Sequence, residues 1–402
     1  MQSTFNIEKF IGEKITGRPE SLLTHDLEAN REKFIQEING KNVLVIGGAG
    51  TIGSSYIKAL LQYKPGKLVV CDINENGLTE LVRDCRSSVD ISLPKDFKSY
   101  PVNFGDRVFT KIFLKEGPFD IVANFAAHKH VRSEKDVFSI EAMIENNVLK
   151  AKRLLDLLME HPPRHFFCVS TDKAANPVNI MGASKKLMED VILAYSGDIK
   201  ITTARFANVA FSNGSLLIGF MDRLMKQQPL SCPADVKRFF VSPGESGEIC
   251  LSACILGNSG EIFFPRLEEK DMVNFADIVP PFLEAFGYGV DICASEQEAR
   301  EKAAVGPGIN YPVFYFNSDT SGEKLYEEFY TDDEELDMDR YAALGVIRNV
   351  KRRDRKELDE IIWNIESLFT QDATKADVVS LLARMLPGFQ HIETGLNLDQ
   401  KM

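Results

Sequence analysis

Two short stretches carry residue types suited to proton transfer. A short apolar run ends in Val169-Ser-Thr-Asp-Lys173, and Met181-Gly-Ala-Ser-Lys185 follows about a dozen residues later. An adjacent carboxyl and amine can titrate differently in a desolvated cleft, which acid–base work requires. If the run is a parallel strand, Thr171, Asp172 and Lys173 lie just past its carboxyl end. That is the crevice where open α/β sheets bind ligands. His128 and His130 are also chemically capable, but a His-x-His without a nearby carboxylate partner is a weak metal signal, and no metal is expected.

A second constellation precedes these residues. Gly47-Gly-Ala-Gly-Thr-Ile-Gly53 sits where an apolar run hands over to a helical pattern. The turn needs backbone freedom at Gly47, and close approach to a pyrophosphate favours no side chain at Gly50. Helix-on-sheet packing favours none at Gly53, while Thr51 and Ile52 open the helix whose amides face the phosphates. Asp72 ends the next run about twenty residues later, where a carboxylate grips ribose hydroxyls. No arginine neighbours it to receive a 2′-phosphate, so NAD is expected over NADP. Asp106 is expected either to flank the adenine or to cap the helix that begins at Arg107.

The elements that must position these groups alternate. Apolar runs at 42–46, 67–71, 121–124, 165–169 and 199–206 are separated by helical spacing near 54–63, 76–85, 107–114, 140–158 and 184–195. Strands that are apolar throughout, alternating with helices, predict a Rossmann-type doubly wound parallel sheet, an α/β fold. The expected division is an N-terminal arm and helix (1–40) and a cofactor domain carrying the catalytic residues (41–208). A smaller α/β substrate-binding lobe follows, mainly 209–345 with a surface insertion at 287–311, and then added C-terminal helices and a tail (346–402). Residues 1–20 show no clear period and read as a flexible arm. The acidic run 332–335 and the basic run 351–356 read as solvated helix flanks or an intersubunit contact.

At this point the chain resembles the extended short-chain dehydrogenase/reductase superfamily, and within it the polysaccharide-biosynthesis branch of nucleotide-sugar 4,6-dehydratases and epimerases. The likeness covers roughly 40–330. Beyond the stretches above, it is carried by Ala126-Ala-His-Lys-His-Val131, Asn147, Asn176-Pro177, Arg205-Phe-Ala-Asn-Val209, Arg238-Phe-Phe240 and Gly322-Glu-Lys-Leu-Tyr-Glu-Glu328. The resemblance implies a redox-neutral lyase with bound NAD, acting on a UDP-sugar such as UDP-N-acetylglucosamine for surface polysaccharide or glycan precursors. The alternatives are a C4 or C5 epimerase, or a catalytically silent NAD-binding regulator.

It further implies Asp172 as acid toward the C6 hydroxyl, Lys173 as C5 base, Thr171 at the C4 oxygen and Lys185 on the nicotinamide ribose. Ala126 and Ala127 would line the cofactor. Asn208 and Arg238 would hold the diphosphate, with Lys129 near the sugar or the nicotinamide and His130 among the substrate-binding residues. Two positions depart from the family pattern. Met181 replaces the usual tyrosine and cannot exchange a proton usefully. Thr320-Ser321 replaces an Arg-Pro pair, so one phosphate contact is expected either to be missing or to be supplied elsewhere, with Arg266 the candidate.

Composition bounds the partners. The chain has 402 residues, 44% hydrophobic, with 47 Lys plus Arg against 59 Asp plus Glu, a net charge of −12. That sign argues against nucleic-acid coating and leaves an anionic substrate to local cations. Seven scattered cysteines give neither a disulfide framework nor a zinc site. With no signal-peptide centre and no run near the roughly 18 apolar residues of a membrane span, a cytoplasmic protein is expected. A homo-oligomer pairing through 140–158 and 184–195 is expected from the resemblance.

Overall fold

The computed structural model describes residues 5–318 and 327–392. The chain begins with α1 (Ile7–Phe10), a wider π-helical turn at Ile11–Ile15, α2 (Thr24–Ala29) and α3 (Arg31–Ile38). The alternating part follows: β1 (Asn42–Ile46), α4 (Thr51–Leu61), β2 (Lys67–Asp72), α5 (Glu75–Ser87), β3 (Asp96–Pro101), α6 (Arg107–Glu116) and β4 (Ile121–Asn124). It continues through α7 (Val137–Ile144), α8 (Lys150–Glu160), β5 (His165–Val169), α9 (Ile180–Ala194) and β6 (Ile201–Ala204).

The later half holds β7 (Asn208–Val209), α10 (Leu216–Met225), β8 (Leu230–Pro233), β9 (Lys237–Val241), α11 (Pro243–Leu256), β10 (Glu261–Pro265) and β11 (Met272–Asn274). It then forms α12 (Phe275–Ala285), β12 (Gly289–Cys293), α13 (Glu296–Val305), β13 (Asn310–Phe316), β14 (Glu335–Asp337) and β15 (Leu344–Arg348). The last elements are α14 (Arg355–Phe369) and α15 (Lys375–Met385).

The main sheet has the order β14-β15-β10-β6-β5-β4-β1-β2-β3. From β3 to β10 every pairing is parallel, while β15 and β14 are antiparallel additions at one edge. The inner strands are buried at nearly every position because helices cover both faces, which explains their unbroken apolar sequence. Register aligns Ile46 with Asn124 and Asn124 with Cys168. The loops leaving β1, β4 and β5 therefore emerge at one edge. The order in which strands are added reverses between β1 and β4, the switch point where such sheets open a crevice.

The second half divides less simply than its sequence suggested. α11 packs closely on α4: a Cβ on Gly247 would come within 2.3 Å of the Ser55 backbone. β10 pairs with β6, and β15 with β10, so 243–265 and 335–348 complete the main sheet instead of the lobe. The lobe proper has two three-stranded sheets, β11-β9-β7 and β12-β13-β8. Residues 287–311, expected as a surface insertion, supply β12 and α13, and β12 runs parallel to β13. They are part of the lobe's framework.

The first twenty residues are likewise structured from Ile7. Phe10, Ile11 and Ile15 are buried in the lobe's own core with Phe211, Phe220 and Phe282. Arg18 grips Glu245 through two nitrogens at 2.9 Å and also donates to the Phe240 carbonyl. The helix expected within the N-terminal forty residues is two helices, interrupted at Asn30. Asp26, buried on the first of them, accepts the Ala342 and Ala343 amides at 2.8 Å and pins the N-terminus beside β15.

The charged runs also find partners within the chain. Glu334 binds Arg205, Arg353 binds Asp190 at 2.7 Å, and Arg355 binds Asp198 while lying over the Tyr195 ring. α14 and α15 thus pack on α9, the face from which pairing with a second copy was expected. The Thr320-Ser321 departure and most of the 322–328 motif fall outside the described residues. Among the described residues no helix is long and apolar enough to cross a membrane.

Candidate active site

The loop after β1 is shaped by backbone proximity. Gly47 has φ +75°, and a Cβ there would lie 2.5 Å from the Ala126 nitrogen; one on Gly53 would lie 2.3 Å from the Gly47 carbonyl oxygen. Gly48, given no separate role from sequence, is as constrained, with Val70 only 2.4 Å from a built Cβ. At Gly50, at the start of α4, a built Cβ would meet only the Gly47 carbonyl oxygen at 3.5 Å, an ordinary contact, so the fold itself does not crowd this position. Asp72 ends β2 beside it and accepts the Ala49 and Asn74 amides at 2.9 and 2.8 Å. Free amides at a helix start and a carboxylate at the next strand end suit a dinucleotide's pyrophosphate and ribose.

Other predicted cofactor residues are less clustered. Thr51 accepts the Asn213 amide through its hydroxyl, joining this helix to the lobe. Ile52 is half-buried on the first turn of α4. Asp106 is exposed at the start of α6 and makes no side-chain cap. The Ala126-Ala127 segment is held from both sides. Asn124 accepts the Ala126 amide, and Asn147 accepts the His128 amide while donating to the His128 carbonyl and the Ser184 hydroxyl.

The polar cluster lies past β5. Thr171 donates its hydroxyl to Asp172 at 2.6 Å, and Lys173 Nζ lies 3.2 and 3.1 Å from the two Asp172 oxygens. Asp172 is buried and Lys173 half-buried. Burial disfavours the Lys173 charge, but the Asp172 and Glu327 carboxylates outweigh it and hold the ammonium above the ordinary lysine pKa. Lys185, one helical turn after Met181, is fully enclosed. It donates to the Val169 carbonyl at 2.6 Å, and burial lowers its pKa.

Met181 is buried at the start of α9. Its amide donates to the Glu134 carboxylate at 2.8 Å, and His391 approaches the other Glu134 oxygen at 3.7 Å. Asn179 caps the same helix by accepting the Gly182 amide. Glu134 had no motif to announce it.

The residues expected to bind the diphosphate are brought together, but around a carboxylate of the chain itself. Asn208 donates to Glu327 at 2.6 Å, Arg238 Nε lies 3.5 Å from the same oxygen, and Lys173 Nζ lies 3.8 Å away. The second Glu327 oxygen accepts the Phe239 amide at 3.3 Å. Glu327 belonged to the quoted 322–328 motif, yet nothing in its spacing pointed to Lys173, about 150 residues earlier.

Lys129 and His130 are exposed, the latter ring lying against Gly214. Arg266 is not part of this group. Its guanidinium donates to the Met338 and Tyr341 carbonyls, fixing the turn between β14 and β15.

Comparison with known proteins agrees with this architecture. The chain is 30% identical over 317 residues to an uncharacterised membrane protein of Methanocaldococcus jannaschii, covering 76% of this chain and 85% of that one. It is 28% identical over 254 residues to a UDP-N-acetylglucosamine 4,6-dehydratase (inverting) of Campylobacter jejuni, covering 61% and 72%. A probable polysaccharide biosynthesis protein of Bacillus subtilis is 26% identical over 81% of this chain, which spans only 52% of that relative's length.

Among solved structures, Pen of Bacillus thuringiensis superposes with a TM-score of 0.63 at 21% identity, over 82% of this chain and 98% of that one. A dTDP-glucose 4,6-dehydratase of Streptomyces venezuelae gives 0.54 at 18%, over 72% and 88%. These likenesses are in fold. The family model described as polysaccharide biosynthesis protein matches residues 43–349, so the chain belongs to that family, a branch of the extended short-chain dehydrogenases/reductases.

Proposed function

We propose that this protein is an NAD-dependent nucleotide-sugar 4,6-dehydratase, acting on UDP-N-acetylglucosamine in the synthesis of glycan precursors. The observation that carries the proposal is the Thr171–Asp172–Lys173 cluster past β5, at the sheet edge that also holds the glycine loop. The Campylobacter jejuni relative bears the same activity in its name, which supports the reading.

Bound NAD would supply a hydride acceptor at C4 and the hydride returned at C6. It would be held by the 47–53 loop, Asp72 and Lys185. The chain's own residues handle the protons. A C4 ketone acidifies the C5 proton, which Lys173 Nζ takes as the C6–O bond breaks. Asp172 gives its proton to the departing hydroxyl, and water leaves. The pair begins this step as neutral amine and carboxylic acid: Lys173 has released the proton of the resting ion pair to solvent before C4 is oxidised, and the proton on Asp172 is the one taken from O4. It ends as ammonium and carboxylate. Thr171 is placed to hydrogen-bond the C4 oxygen. Met181 exchanges no proton, so the O4 proton passes through Thr171 or a water to Asp172.

The test is incubation with UDP-N-acetylglucosamine in deuterated water, followed by mass spectrometry and NMR. Loss of water with deuterium at C5 is expected. An isomer of unchanged mass would instead mark a C4 epimerase, whose usual tyrosine is absent here. No turnover of any nucleotide sugar, with NAD still bound, would leave a silent regulator. In Lys173→Ala, C5 exchange should vanish while NAD binding persists; full activity there would discard Lys173 as base.

A further inference from the structure

We propose that a cleft between α9, the segment entering α14 and the segment leaving α15 is a second binding site, for a phosphate monoester that carries a flat apolar group. None of its lining residues belongs to the glycine loop, the Thr171–Asp172–Lys173 group or the lobe. The proposal therefore stands apart from the dehydratase reading.

The first observation is shape. The cleft holds about 440 Å³, a volume ordinary for a small-molecule site. Its apolar walls are Pro177 on one side and Leu386, Pro387 and Phe389 on the other. Backbone bonds fix the two sides together: the Gln390 and Ile392 amides donate to the Pro177 and Val178 carbonyls at 3.4 and 3.0 Å. The apolar part of a ligand thus meets a preformed surface.

The second observation is charge. Four cations line the cleft, Lys186, Lys351, Arg352 and Arg353, against two carboxylates, Asp190 and Glu357. Arg353 already takes both carboxylates, Asp190 at 2.7 Å. Lys186 lies 3.5 Å from the same Asp190 and 3.7 Å from Glu189, which Arg205 holds. Lys351 is exposed and makes no ion pair among the described residues. Arg352 makes none either, and donates to the Ser259 carbonyl at 3.5 Å. An excess of two positive charges remains, in a chain whose net charge is −12. Charge of one sign over low-dielectric walls draws in the opposite sign, and a phosphate dianion matches that excess where a carboxylate meets half of it. The 351–356 run is thus divided: Arg353 and Arg355 are internal fasteners, while Lys351 and Arg352 are left at the mouth of the cleft.

The site is joined to the turn that carries Thr171, Asp172 and Lys173. Ala175, Asn176 and Pro177 line the cleft, and the Ala175 amide donates to the Asp172 carbonyl at 3.0 Å. An occupant fastens this stretch to α9 and to the segments around α14 and α15, so local opening of 173–178 becomes rarer.

The test uses the full-length chain with ¹³C-labelled leucine methyls, the Leu386 signal assigned by its loss in Leu386→Ile. Phenyl phosphate should shift that signal saturably, with a Kd of about 1 mM or lower. Inorganic phosphate, which lacks the ring, and benzoate, which carries one charge, should each bind about tenfold or more weakly. Lys351→Glu combined with Arg352→Glu should weaken phenyl phosphate about tenfold or more, and Lys351→Gln alone, at an exposed position, about threefold. The thermal midpoint and NAD affinity should stay at wild-type values. Amide exchange across 173–178 should slow with phenyl phosphate in wild type and not in the charge-reversed variant. No saturable shift of Leu386 up to about 10 mM phenyl phosphate would overturn the site. So would equal affinity for benzoate or inorganic phosphate, or unchanged affinity in both charge variants.

Discussion

Single residues in this site are constrained more by backbone and charge than by volume. Gly47 combines a left-handed conformation with a neighbour 2.5 Å from any added Cβ. Gly47→Ala should lower stability by about 2 kcal/mol or more and abolish NAD binding, readable by urea unfolding and cofactor titration. Wild-type NAD affinity in that variant would mean that the loop can open without cost. These glycines were legible in the sequence because a strand-to-helix turn over a phosphate tolerates few alternatives. Glu327 was not. Its importance comes from what surrounds it, and a glutamate in a surface-like run carries no mark of burial.

At the scale of elements, β6 and α9 are joined by Arg205, which is fully buried and bonds Glu189 and Glu334 through paired nitrogens. Ser170, just past β5, donates to the same Glu189, so this network underlies the turn that carries Thr171, Asp172 and Lys173. Arg205→Met strips buried Glu189 of its guanidinium partner, leaving it the Ser170 hydroxyl and Lys186 at 3.7 Å, and should cost about 3 kcal/mol in chemical unfolding. The pH dependence has a definite sign. Burial tends to raise the Glu189 pKa, but Arg205 dominates and holds it at about 2, down from 4.5. Its stabilisation is thus present above 4.5 and lost as pH falls through 2. The stability difference between wild type and Arg205→Met should narrow across that window. A gap that stays constant in acid would remove Glu189 as its source.

Across the whole molecule, two hydrophobic cores are distinct: one around the main sheet, one in the lobe. The N-terminal segment reaches both, with Phe10 and Ile11 in the lobe core and Phe34 and Ile38 in the sheet core. Phe10→Ala should destabilise the lobe by about 3–5 kcal/mol. Hydrogen exchange should accelerate in α10, α12 and β13 while β1, β4 and β5 keep their protection. Equal acceleration in both regions would show that the cores unfold as one. α14 and α15 have a comparable role on the opposite end, where Arg353 and Arg355 fasten them to α9 and its following turn.

The sequence by itself determined what depends on local pattern. Apolar runs at strand length, helices between them and a glycine turn before a helix produced the parallel sheet, its order of elements and the loops that meet at its edge. The Thr171–Asp172–Lys173 group was legible for the same reason, since its place past β5 follows from the strand boundary. Only the tertiary structure decided which distant segments meet. It returned 243–265 and 335–348 to the main sheet, seated the N-terminal segment in the lobe and moved Arg266 to a structural turn. It also brought Glu327 against Asn208, Arg238 and Lys173. The reason is physical: local propensity acts over a few residues, whereas the pairing of a buried charge is settled by whichever partner the completed core brings within about 4 Å of it.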